Sequence, residues 1–161
     1  MSKNRVIIVG GLLVVFAIYA WLDRAVWAND FSKWEPRSVY LMVLGTPPPP
    51  GVTDIKVAGR HYVMKRWVWM TFHATPSVIR SILSKTELLD PARTTAALSE
   101  RVSVKARYDE QDARHVGWEA IRSASHLVAG AHSNQYGSWQ FVYTVFVDRR
   151  TNTVYVKATG D

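Results

Sequence analysis

The sequence predicts an α+β domain, a mainly antiparallel sheet with helices packed on one face, preceded by one N-terminal transmembrane helix. Three observations carry this reading. Val6 to Leu22 is a run without a single charge. Strand-forming stretches lie toward both ends of the remaining chain. Between them, Thr75-Pro76 and Asp90-Pro91 carry the side-chain oxygen and following proline that open helices. The chain has 161 residues, 48% of them hydrophobic, which is enough for one buried core and excludes a disordered tail. It has no cysteine, which excludes disulfides, thiolate-bound metals and a thiol nucleophile.

The organisation that follows is a short basic tail over 1–5, a transmembrane helix over 6–22, a juxtamembrane connector over 23–37 and a single α+β domain over 38–161. The apolar run spans roughly 25 Å as a helix, the lower end of a hydrocarbon core. Tyr19 and Trp21 in its last turn, with Trp27 and Trp34 beyond it, form one half of an aromatic belt at the membrane interface. A buried core helix is a poor alternative, because the run is apolar on every face. Val26-Trp27-Ala28 before Asn29 also has the outline of a leader cleavage site. The run is longer than a usual leader core and Trp27 is bulky, so a retained signal-anchor is the expectation. A short tail ahead of a first apolar helix stays cytoplasmic, which puts the C-terminal domain on the periplasmic or extracellular side.

Along the domain, Ser38 to Leu44 (SVYLMVL) reads as a strand ended by Gly45 and by Pro47 to Pro50, a polyproline spacer. Ile55 to Val57, a turn around Gly59, and His61 to His73 read as a hairpin with a long second arm. Thr75-Pro76 starts a helix whose buried stripe is Val78, Ile79, Ile82 and Leu83. Asp90-Pro91 starts a second, running to Leu98. Val102 to Tyr108 alternates like a half-exposed strand, and a helical stripe runs from Asp109 to Gly130, interrupted at Gly117. Trp139 to Val147 and Thr153 to Ala158, joined by Asp148 to Asn152 (DRRTN), form a second hairpin.

The five histidines have none of the spacings of a metal site, and the acidic residues Asp109, Glu110, Asp112 and Glu119 suit a helix start. No nucleophile elbow, phosphate loop or dinucleotide fingerprint is present, so no cofactor is expected and the chain reads as non-enzymatic. From Pro36 onward Lys and Arg outnumber Asp and Glu by 16 to 10. Such a surface suits membrane lipid, an anionic headgroup or glycan, or an acidic protein partner. Nucleic acid is not expected outside the cytoplasm. Lys65, Arg66, Trp67, Trp69 and His73 are the partner-binding candidates, with Trp67, Trp69 and His73 on one strand face. If that face is open it is an aromatic platform; if covered, both indoles are core. The function that fits is an accessory domain of a membrane protein complex. A released binding module for a glycan or anionic envelope ligand is the alternative, and a small hydrolase a third.

Overall fold

The computed structural model describes residues 13–21, 30–62, 65–99, 106–124 and 127–161. Six strands form one antiparallel sheet: β1 (Val52–Tyr62), β2 (Lys65–Ala74), β3 (Glu87–Leu88), β4 (Leu127–Tyr136), β5 (Trp139–Asp148) and β6 (Thr153–Gly160). Their spatial order is β1-β2-β6-β5-β4-β3. Among the described residues, and apart from the helical stretch 13–21, four helices accompany them: α1 (Pro36–Leu44), α2 (Pro76–Leu83), α3 (Pro91–Ser99) and α4 (Ala106–His115). Short 3-10 turns occupy Phe31–Lys33 and Trp118–Ser123. The α+β class and the antiparallel sheet are as the sequence predicts.

The sheet is covered on both faces, which corrects the expectation of helices on one. Val68, Met70 and Phe72 of β2, with Val154 and Val156 of β6 and Val145 and Val147 of β5, pack against Val39, Tyr40, Met42 and Val43 of α1 and Val78 and Ile79 of α2. The alternate positions Trp67, Trp69, Phe146 and Tyr155 pack against Val116, Trp118 and Ile121, with Ala97 and Leu98 of α3 and Ala113 of α4 at the margin. The physical reason is the composition of the central strands. The second face carries Trp67, Trp69, Phe146 and Tyr155 at its centre, and a sheet with large apolar groups on both faces must be buried on both. Phe31 is also fully buried in the first core.

Ser38–Leu44 is most of a helix that starts at Pro36, not a strand. Pro36 occupies its first turn, the Glu35 carboxylate accepts from the Ser38 N–H at 2.6 Å, and Gly45 ends it with φ 76°. These terminal signals outweigh the β-preference of Val39, Tyr40 and Val43, because burying Val39, Tyr40, Met42 and Val43 together stabilises a helical stripe. The Gly59 turn is likewise displaced. Gly59 lies inside β1 opposite Val68, where an added Cβ would meet the Trp67 carbonyl oxygen, so it is a close-approach glycine. The connection lies at 63–64, outside the described residues.

The stripe from Asp109 to Gly130 is broken rather than continuous. Gly117 has φ 76°, a short 3-10 turn follows, and Leu127 onward belongs to β4, paired with β5. The strand expected over Val102 to Tyr108 falls outside the described residues up to 105, and from Ala106 the chain is helical. The second hairpin and the starts of α2 and α3 stand where the sequence puts them, and a turn at Gly137-Ser138 joins β4 to β5. Asp90 accepts from the Arg93 N–H at 2.8 Å. Thr75 instead pairs its hydroxyl with that of Ser77, at 3.0 Å.

Of the expected transmembrane run, residues 13–21 are described and are helical. Tyr19 and Trp21 lie in this helix, Trp34 follows the first 3-10 turn, and Trp27 is outside the described residues. No helix among the described residues is long and apolar enough to cross a membrane.

Burial pushes the Tyr40 hydroxyl up to about 12, with the neighbouring Tyr143 adding to the effect. The neutral phenol is therefore favoured in the folded state. Stability is retained below the ordinary tyrosine value of 10.0 and declines as pH rises toward about 12. Tyr40→Phe should carry the unfolding midpoint to higher pH, read by circular dichroism alongside phenolate absorbance. An unchanged alkaline midpoint would reject Tyr40 as the group responsible.

Candidate functional site

The five partner-binding candidates do not converge. Trp67 and Trp69 are 2% and 6% exposed, so the open platform is absent and both indoles belong to the interior. What covers them is specific. Trp118 lies edge-on to Trp69 at 4.4 Å between ring centres, and also to Phe146 at 5.6 Å and Tyr155 at 5.9 Å. Trp67 donates from Nε1 to the Asp112 carboxylate at 3.3 Å, and the same carboxylate pairs with Arg60 at 3.5 Å. Arg60 and Asp112 are both buried, so this pair pins α4 onto the outer half of the sheet. Lys157, also buried, brings its ammonium to 5.4 Å from the Trp69 ring centre.

Lys65 and His73 are exposed, but at opposite ends of β2, roughly 26 Å apart along the strand. His73 Nδ1 sits 3.3 Å from the Thr153 hydroxyl. Arg66 faces the other side of the sheet, beside His61 in the strand register. Its guanidinium carbon lies over the Trp139 ring, 3.9 Å from the centre, and Nε is buried without a hydrogen-bond partner. Burial pulls the Arg66 guanidinium down from its ordinary value, and the charge of Asp161 opposes this. Gly160 separates Arg66 from Phe141 in the register, and an added Cβ there would come within 2.9 Å of the Phe141 ring. The glycine thus keeps the row between arginine and aromatics open.

Asp112 is engaged by Arg60 and Trp67. A shallow cleft of about 390 Å³ between α3 and the sheet is lined by Leu89, Arg93, Ala96, Ala97, Ala131 and Thr144. Its one titratable group, Arg93, bonds Glu87 at 2.9 Å. Among the described residues no three His, Asp or Glu side chains gather as a metal site. His132 lies against Tyr143 and His61 against Trp139, while His126 is outside the described residues.

Sequence reasoning missed the Arg66–Trp139 stack and the Arg60–Asp112 pair. Both join residues far apart in the chain. Arg66 was visible only as half of a basic pair, and Asp112 only as one carboxylate among several. No protein family, curated protein or solved structure matches this chain significantly.

Proposed function

We propose that the chain is a non-enzymatic, single-pass membrane-anchored accessory domain, an auxiliary subunit of a membrane protein complex. The observation that carries this reading is the state of residues 13–21. Leu13, Val14, Val15, Phe16, Ile18, Tyr19 and Trp21 are each more than half exposed, so the rest of the described chain does not cover them. Apolar surface of this extent on all sides of a helix calls for lipid or another protein. The continuation of the run back to Val6, without charge, supports lipid. With the N-terminus cytoplasmic, the sheet domain lies on the periplasmic or extracellular side.

The domain itself suits contact rather than catalysis. Its aromatic interior is sealed, its cleft is shallow, and its net charge is positive. A glycan-binding module of the kind that uses an open indole pair lacks that pair here, since Trp67 and Trp69 are buried.

The protein is expected to stay with the membrane fraction through alkaline carbonate washing and to keep Val6–Leu22 on its mature form. N-terminal sequencing of the tagged native protein, purified in mild detergent, decides this, and mass spectrometry of co-purifying chains identifies the complex. A mature N-terminus at Asn29, or release by carbonate, would overturn the anchor.

A further inference from the structure

One end of the sheet gathers cationic and aromatic groups at the margin of the first core. It is built from the end of β1, the start of β2, the Gly137-Ser138 turn and the end of β6, all brought together by the antiparallel register. Lys65 is exposed there, and Arg66, only 8% exposed, lies over Trp139 with what remains accessible facing this end. No ion pair among the described residues includes Arg66, and its Nε lacks any partner. An arginine stacked on an indole is already oriented, so little freedom is lost when its planar edge meets a phosphate oxygen. Tyr136 flanks the same turn and is 44% exposed. Asp161 acts on Arg66 through space as an opposing charge, and Asp30 and Glu35 flank Lys33 and Trp34.

The chain enters the domain at this same end. Asp30 forms a bridge with Arg60 near the end of β1, and Lys33 and Trp34 follow, both exposed, with Trp34 edge-on to Phe31 at 5.0 Å. The eight residues 22–29 separate Asp30 from Trp21, the last described residue of the apolar helix. Even fully extended, that stretch reaches only roughly 30 Å. If 13–21 lies in a bilayer, the end bearing Lys33, Trp34, Lys65, Arg66, Tyr136 and Trp139 is held within that distance of the headgroups. Cations beside tryptophan and tyrosine are the side chains that headgroup layers favour.

We propose that this end of the sheet docks on an anionic phospholipid surface, with Arg66, held by Trp139, binding a headgroup phosphate and Lys65 a second one. The inference deepens the anchored reading above and rests on it. The anchor supplies proximity, and the arginine and lysine fix how the domain sits on the surface. The occupant is a lipid phosphate rather than a soluble anion because the tether keeps this end at the membrane.

The test uses the full chain in lipid nanodiscs of phosphatidylcholine alone or mixed with phosphatidylglycerol, reading backbone hydrogen exchange at 65–68 and 136–141. Exchange should slow by roughly fivefold per bound cation in the anionic discs. Arg66→Gln and Lys65→Gln should each remove about one such factor, and raised salt should remove both. Should Arg66→Gln fail to fold, Lys65→Gln at its exposed site decides. Equal exchange in the two lipids, with the chain incorporated in both, overturns the docking and leaves the anchor standing. A chain that floats with neither kind of vesicle overturns both. Full protection from inorganic phosphate added to phosphatidylcholine discs, or protection that survives both substitutions, also overturns the assignment.

Discussion

Replacing Trp67 and Trp69 together with alanine is expected to unfold the sheet domain at ambient temperature. Each truncation removes a large buried ring and leaves a cavity, at a cost of about 3–5 kcal/mol. A domain of this kind has only about 5–15 kcal/mol in total. Trp69 is the more damaging position, because Trp118 stands edge-on against it at 4.4 Å and would lose its main contact. Trp67→Phe separates the two roles of that indole. It keeps most of the apolar burial and removes the donor to Asp112, so a loss of about 1–3 kcal/mol is expected. Thermal unfolding followed by circular dichroism measures both. A double alanine variant that melts within a few degrees of the parent would return the indoles to the surface.

The second large effect is expected at Asp112. Asp112→Ala leaves the buried Arg60 guanidinium without its carboxylate and the Trp67 N–H without its acceptor, for a loss of about 3–5 kcal/mol. Changing Arg60 and Asp112 together to apolar residues of similar size should recover much of that loss, since most of it is the cost of a stranded charge. Denaturant unfolding of the two single variants and the double variant gives the coupling directly. Strict additivity would mean that the pair does not act as a unit and that α4 is held by apolar contacts alone.

Legibility followed the range over which each element is specified. The β5–β6 hairpin was readable because DRRTN and two flanking β-rich runs lie within one short stretch. The start of α2 was readable for the same reason, from Thr75-Pro76 and a stripe four residues apart. α1 was misread although its signals were present: Pro36 at its start and Gly45 past its end outweigh the β-branched and aromatic content between them. β3, two residues long, has no local signature and exists only because β4 pairs with it. The candidate residues were legible as types and not as a place. Alternation on β2 correctly grouped Trp67 with Trp69, but it could not reveal Trp118, some fifty residues onward, as their cover. Nor could it show that Arg66 meets Trp139 across β6.

The two outer strands have a consequence for self-association. A sheet border with free amides and carbonyls invites another chain to extend it. Here β3 offers two residues, and its Glu87 is tied to Arg93. The opposite border, β1, is long, but its pairing register shifts between Thr53 and Lys56, where Asp54 adopts φ 51°. Such a bulge bends the strand out of line. Lys56 sets a charge beside it, and the Asp30 bridge occupies the border at Arg60. A polymer growing edge to edge would meet a bent, charged border at β1, so the straighter route lies at β4 beyond Ala131, where among the described residues β5 is the only strand partner.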